Sequence, residues 1–168
     1  VTVGSAGQND HSIDAGWRLP VKVSIGDFLW IDADGDGVQD DGEAPVPAGT
    51  VVKLFKGETE VGSALTDADG YYFFADLDPS TAYTVVFPTT VTVAGVTYEL
   101  TLAGQGDDPA ADSNPGADGK APVTTPATGE NKTAAGEADD PTIDAGYKPV
   151  PAVPAVSVGD FVWEDAND

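Results

Sequence analysis

The chain has 168 residues, enough for one ordinary domain with a core, and its 29 acidic and seven basic side chains give a formal charge of −22. A polypeptide this acidic repels nucleic acid and anionic membranes, and no apolar run approaches the roughly 20 residues that span a bilayer, so we expect neither kind of partner. The absence of cysteine excludes disulfides and cysteine-ligated zinc, and the single histidine, His11, cannot build a histidine-ligated zinc site.

Short strands separated by turns are the predicted elements of this chain. Glycine and proline are frequent, at 20 and 13 residues, and helix periodicity is absent, which together favour an all-β fold. In chain order the predicted strands cover residues 23–30, 50–55, 61–65, 71–75, 82–87, 96–102 and 142–148. Alternating apolar positions predict a core that contains Tyr72, Phe74, Leu77, Tyr83, Val85 and Phe87.

The segment 104–140 differs from the rest of the chain in composition. It is rich in glycine, aspartate, proline, alanine and threonine, and it carries several acidic side chains. A loop of this length inside a compact domain is usually functional or disordered. We therefore predict a long acidic loop that is loosely ordered unless a ligand holds it.

Two sequence motifs occur twice. Residues 24–32 read SIGDFLWID and residues 157–165 read SVGDFVWED, while 10–17 read DHSIDAGW and 140–147 read DPTIDAGY. Both pairs are separated by about 130 residues, which indicates a tandem repeat.

The order of these motifs predicts the domain organisation. Residues 1–20 are predicted to be the C-terminal tail of a preceding repeat, and 21–148 one complete repeat. Residues 149–168 are predicted to be a proline-rich linker followed by the first strand of the next repeat. The expected partners are neighbouring repeats of the same chain, or like subunits in a fibre whose end segments complete one another. The alternative is that the sequence is an arbitrary window on a longer chain.

Residues 32–43, which read DADGDGVQDDGE, fit the twelve-position calcium loop. Carboxylates or carbonyls at fixed spacing can wrap one ion with hard oxygen ligands, and Gly37 lies where the chain must turn sharply. The predicted ligands of this primary calcium site are Asp32, Asp34, Asp36, the carbonyl of Val38, Asp40 and Glu43. The alternative is an acidic turn without a metal, in which five carboxylates would repel one another.

The residues around this loop do not favour helices. Trp30 lies at the end of a predicted strand, and Pro45 and Pro47 follow the loop closely. An EF-hand-like loop between strands favours a structural calcium site over a sensor that opens a helix pair.

Four motifs of the chain resemble the B-repeat of Sdr-type bacterial surface adhesins (SdrD B-like), a calcium-binding relative of the Cna-B domain. The motifs lie at residues 26–40, 66–77, 112–114 and 144–147. The resemblance implies a Greek-key β-sandwich of the Cna-B or prealbumin type, several bound calcium ions and a stalk-like role on the bacterial surface. It therefore also implies an extracellular location, on the cell or secreted.

A second calcium site is predicted where the long acidic loop returns to the final strand. Its candidate ligands are Asp112, Asn114, Asp140 and Asp144, with Asp107, Asp108 and Asp118 as further candidates. Together with the primary loop, these residues would bring the total to two or three calcium ions. The alternative is a solvated acidic loop.

The expected function is that of a calcium-stabilised stalk, spacer or fibre-forming repeat of a large surface protein. A carbohydrate- or host-protein-binding module is the alternative, and the sequence does not identify a host or matrix ligand. An enzyme is not expected, because the clustered carboxylates have calcium-loop spacing and His11 cannot be assembled into a Ser/His/Asp set.

Overall fold

The computed structural model describes residues 20–134 and 136–151. Within these ranges the chain is all-β, with no helix and hence none long and apolar enough to cross a membrane. The strands are β1 (Val23–Ile25), β2 (Leu29–Ile31), β3 (Ala44–Pro45), β4 (Val51–Lys56), β5 (Thr59–Leu65), β6 (Phe74–Leu77), β7 (Ala82–Val86), β8 (Thr90–Val93), β9 (Val96–Leu100), β10 (Lys120–Thr124) and β11 (Ala145–Pro149).

The strands form a four-stranded sheet in the order β10-β7-β4-β5 and a five-stranded sheet in the order β3-β2-β11-β9-β8. A two-stranded sheet pairs β1 with β6. All strand pairs are antiparallel except β2 with β11. These two strands run parallel, so their first residues, Leu29 and Ala145, lie side by side. The predicted all-β sandwich is confirmed.

The core lies between the sheets and is built on aromatic contacts. The Tyr72 ring meets those of Phe74 and Phe87 edge to face, with centroids 5.7 and 5.5 Å apart. All six predicted core residues are buried, and they pack with Ile25 of β1, Leu29 of β2 and Tyr147 of β11. Each such apolar side chain stabilises the fold by about 1.5–3 kcal/mol through burial alone.

The prediction of one strand over residues 23–30 is wrong. β1 belongs to the two-stranded sheet and β2 to the five-stranded sheet, so the chain crosses between sheets at residues 26–28. A Cβ atom at Gly26 would lie 2.4 Å from the carbonyl oxygen of Tyr72, so only glycine permits this approach. Strand alternation cannot reveal such a crossing, because the residues on both sides of it are buried.

The prediction of one structureless loop over residues 104–140 is also wrong in part. β10 lies inside it and pairs with β7, and its Ala121 reaches the core. β8 was likewise missed, and the strand predicted at 71–75 begins at Phe74. β10 gives a weak sequence signal, because its inward residue is small and Pro122 interrupts its pattern.

The hydroxyl of Tyr72 ties the core to the chain that precedes β11. It is fully buried and donates a 2.6 Å hydrogen bond to the carbonyl of Ile143. We expect Tyr72→Phe to destabilise the fold by about 1–2 kcal/mol, because the buried carbonyl loses its donor. Urea unfolding measures the change.

Tyr71→Phe is the matched control, since the Tyr71 hydroxyl makes no hydrogen bond within the described residues. Equal midpoints for the two variants would contradict the role of the Tyr72 hydroxyl.

Candidate metal centre

Asp32 is the buried anchor of the predicted calcium loop. It follows β2, and its backbone N–H donates to the carbonyl of Tyr147 on β11 at 2.9 Å. Its carboxylate accepts hydrogen bonds from the N–H groups of Gly35 and Gly37, at 2.6 and 2.9 Å, and from the hydroxyl of Thr101. Asp32 is therefore fixed by three segments of the chain while its oxygens face the loop.

The carboxylates of Asp34 and Asp36 join that of Asp32. One oxygen from each of the three side chains lies within 4.8 Å of the other two. Asp34 and Asp36 are exposed, and no ion pair within the described residues involves the loop. Three negative charges this close repel one another, and a divalent cation that shares their oxygens would offset the repulsion.

Glu43 closes the loop at its far end. Its two carboxylate oxygens accept hydrogen bonds from the N–H groups of Ala33 and Asp40, at 2.7 and 3.0 Å. The Asp40 side chain is exposed. Each Glu43 oxygen keeps a further lone pair, so this carboxylate can hold the loop shut and still serve a cation.

The middle of the loop packs against the segment that follows β9. The N–H of Gln39 donates to the carbonyl of Ala111 at 2.7 Å, and that of Ser113 to the carbonyl of Gly37 at 3.3 Å. These two bonds form a short antiparallel bridge in which Val38 lies opposite Asp112. Neither bond uses the carbonyl of Val38. The primary loop thus holds in place the chain that carries the second predicted site.

Asp144, immediately before β11, is the centre of a second carboxylate cluster. Its side chain is 1% exposed, and one oxygen accepts a 3.3 Å hydrogen bond from the N–H of Phe28. The other oxygen has no hydrogen-bond partner in the described part of the chain. A buried carboxylate oxygen without a donor costs free energy, unless a proton shared with a neighbouring carboxyl or a cation satisfies it.

Three further side chains, those of Asn114, Asp112 and Asp27, complete this cluster. Asn114 accepts a hydrogen bond from the N–H of Asp144 through its side-chain oxygen, and its side-chain nitrogen donates to Asp112 at 3.1 Å. Burial raises the pKa of Asp144 to about 10, and the charge of Asp27 adds to that effect. Burial also raises the pKa of Asp27, to about 6, and that of Asp112. Without a cation, these carboxyls therefore favour sharing a proton.

The remaining predicted ligands occupy different surroundings. The backbone of Asp140 pairs with that of Ser24 and Gly26, and its charge contributes to the raised pKa of Asp27. Asp107 and Asp108 are exposed. Asp118 instead forms an ion pair with Lys120 at 3.4 Å, at the start of β10.

Asp27 and Thr101 are the two site residues that sequence reasoning missed. Asp27 lies in the interior of the strand predicted over residues 23–30, where an acid is unusual. It recurs as Asp160 in the repeated motif, and this recurrence is a signal that could have indicated its role. Thr101 gives no comparable signal, since it is one threonine at the end of a strand.

Comparison with known proteins identifies the family of this chain. The sequence model of the SdrD B-like domain matches residues 23–147. Serine-aspartate repeat-containing protein F of Staphylococcus epidermidis is 37% identical to the chain over 167 residues. Serine-aspartate repeat-containing protein E and bone sialoprotein-binding protein, both of Staphylococcus aureus, are 34% and 35% identical. Each alignment covers 99% of this chain, which spans only 9%, 12% and 13% of the three relatives' lengths. The chain belongs to the SdrD B-like domain family, as its four motifs predicted.

Proposed function

We propose that this chain is a calcium-stabilised structural repeat, a stalk, spacer or fibre-forming unit, of a large bacterial cell-surface or secreted protein. The observation that carries the proposal is the convergence of Asp32, Asp34 and Asp36 to within 4.8 Å of one another. Calcium prefers six to eight oxygen ligands in a flexible shell, and Glu43, Asp40 and the Val38 carbonyl lie in the same loop to supply the rest.

A second calcium ion would be held by the cluster around Asp144. The orphaned oxygen of Asp144 supports this assignment, because an acidic cluster with no internal donor for a buried oxygen fits a cation better than it fits solvent. Asp27, Asp112 and Asn114 contribute the other oxygens, and Asp140 lies near enough to affect Asp27 electrostatically. Asp107, Asp108 and Asp118 are not needed for this site.

Both ions would join parts of the chain that are distant in sequence. The primary loop contacts Thr101 and Tyr147, and the second cluster joins Asp27, Asp112 and Asp144. A disulfide-free extracellular domain gains from such a staple, because ligands that bind only the folded state stabilise it by mass action. Rigid repeats in series would suit a stalk or a fibre on the cell surface.

Calcium titration by isothermal calorimetry tests the proposal. We expect the wild-type chain to bind two or three ions, Glu43→Gln to weaken the primary site roughly tenfold or more, and Asp144→Asn to weaken the second site by a similar factor. Asp69→Asn is the control, because Asp69 is an exposed turn residue. Absence of calcium binding by the wild-type chain, or equal effects of all three substitutions, would contradict the assignment.

A carbohydrate- or host-protein-binding module remains the second candidate. It is favoured by the name of one relative, bone sialoprotein-binding protein, of which the chain spans 13%. Sugar stacking needs exposed aromatic rings, but Trp30 is fully buried, while Trp17 and Trp163 lie outside the described residues. The structural role therefore has the stronger support.

A further inference from the structure

Five aspartates of the chain are followed directly by glycine, and all five pairs lie within the described residues. In an Asp-Gly pair the amide nitrogen of the glycine can attack the aspartate side chain and close a succinimide ring, because glycine has no Cβ atom to hinder the attack. The pairs are Asp34-Gly35, Asp36-Gly37, Asp41-Gly42, Asp69-Gly70 and Asp118-Gly119. The surroundings of each glycine determine which pair can react.

In four of the five pairs a hydrogen bond holds the glycine N–H group. The N–H groups of Gly35 and Gly37 donate to the carboxylate of Asp32, at 2.6 and 2.9 Å. Those of Gly70 and Gly119 donate to backbone carbonyls, at 3.3 and 2.8 Å. Each of these hydrogen bonds must break before the nitrogen can attack, so the fold protects these four pairs.

Gly42 differs from these glycines in three respects. Its N–H group makes no hydrogen bond within the described residues. Gly42 and Asp41 are both exposed, whereas Gly37, Gly70 and Gly119 are buried. A Cβ atom at Gly42 would meet nothing within 4 Å, whereas at those three buried glycines it would lie 2.4–2.7 Å from a backbone carbonyl oxygen. Among the five pairs, Asp41-Gly42 therefore combines a free N–H group with open space for the ring.

We propose that Asp41-Gly42 is the site at which the folded chain converts aspartate to isoaspartate. The Gly42 nitrogen bonds to Cγ of Asp41, and the amide proton, one solvent proton and one carboxylate oxygen leave as water. Water then adds to the main-chain carbonyl carbon of Asp41, and the bond from that carbon to the Gly42 nitrogen breaks. The nitrogen regains a proton, and the new carboxylate returns one to solvent. The backbone then runs through the former side chain of Asp41 and is one methylene longer, with an unchanged formula.

The added methylene lies in the turn that positions Glu43. The N–H of Glu43 donates to the carbonyl of Asp40 at 3.3 Å, and the Glu43 carboxylate accepts from the N–H of Asp40 at 3.0 Å. Both hydrogen bonds span Asp41 and Gly42, so a longer backbone between their ends displaces the Glu43 carboxylate. Isoaspartate at position 41 therefore weakens the primary calcium site, a consequence that rests on the proposed function.

Peptide mapping of the full chain after prolonged incubation at physiological temperature tests the site, because isoaspartate peptides separate from aspartate peptides of the same mass. We expect isoaspartate to accumulate at Asp41 roughly tenfold or more faster than at Asp34, Asp36, Asp69 or Asp118. In concentrated urea the five rates should converge, because the hydrogen bonds of the fold no longer protect the other glycines. Equal accumulation at the five positions of the folded chain, or the same ranking in urea as in buffer, would overturn the proposal.

Calcium titration of the incubated chain tests the consequence for the primary site. The fraction with isoaspartate at position 41, separated by chromatography, is expected to bind calcium at the primary site roughly tenfold or more weakly than the fresh chain. Asp41→Ser is the control, because its serine cannot form the ring, and it should bind calcium equally before and after incubation. Unchanged affinity of the isoaspartate fraction would overturn this consequence. Absence of calcium binding by the fresh chain would contradict the proposed function alone, since peptide mapping decides the isoaspartate site by itself.

Discussion

Removal of calcium is expected to lower the melting temperature of this chain by roughly 10–20 °C. One ion at 100 times its dissociation constant stabilises the folded state by about 2.7 kcal/mol, and two such sites by about twice that. For a domain of this size, each kcal/mol corresponds to several degrees. Differential scanning calorimetry in calcium and in excess chelator measures the shift. An unchanged melting temperature in chelator would contradict a structural role for calcium.

Three comparisons make this result specific to the two sites. Glu43→Gln and Asp144→Asn should each retain only part of the calcium-dependent shift, because each leaves one site intact. Asp144→Asn should also be less sensitive to chelator, since the uncharged amide needs neither a shared proton nor a cation in this buried position. Magnesium should not restore the full shift, because it demands shorter, octahedral coordination.

Hydrogen exchange should locate the change on the chain. Chelation is expected to increase exchange mainly at residues 104–114, where Asp112 and Asn114 lie beside the two sites. β10 should keep its protection, because its amides belong to a ladder with β7. The sequence predicted loosening over the whole of 104–140, and the ladder restricts that expectation to its first part.

The grouping of carboxylates in the loop 32–43 was predictable because all the candidate ligands lie within twelve consecutive residues. Local spacing determines which oxygens can share an ion. The sequence alone was therefore enough to predict that the carboxylates of Asp32, Asp34 and Asp36 lie close together. The alternating apolar residues around Tyr72 and Tyr83 predicted the core for the same reason, since strand periodicity is local.

The second cluster was only partly predictable, because its geometry depends on long-range pairing. Asp27 meets Asp144 only because β2 and β11 run parallel and side by side, a pairing that spans most of the chain. The crossing at Gly26 directs Asp27 into this cluster, and it depends on a close contact with the Tyr72 backbone that no periodicity encodes. The sequence feature that would have indicated this cluster is Asp27, an acid within a predicted strand that recurs as Asp160 in the repeated motif.

Gly37→Ala is expected to destabilise the fold by about 2–4 kcal/mol, more than any other single methyl group added to the calcium loop. Gly37 has a φ angle of 86°, and a Cβ atom there would lie 2.5 Å from the carbonyl oxygen of Leu102. The added methyl group would push the loop away from the segment that holds Thr101, and so weaken the support of Asp32. Urea unfolding in saturating calcium measures the loss.

Gly42→Ala measures the backbone strain alone, without a close contact of the kind that a Cβ atom at Gly37 makes with Leu102. Gly42 lies in the same loop with a similar φ angle, 96°, but a Cβ atom there meets nothing within 4 Å. It should therefore cost only the roughly 1–2 kcal/mol of placing alanine in the left-handed region. Equal losses for the two variants would mean that the loop does not depend on its contact with residues 101–113. A larger loss for Gly37→Ala, together with weaker calcium affinity, would show that the primary site is held in shape by the segment that carries the second one.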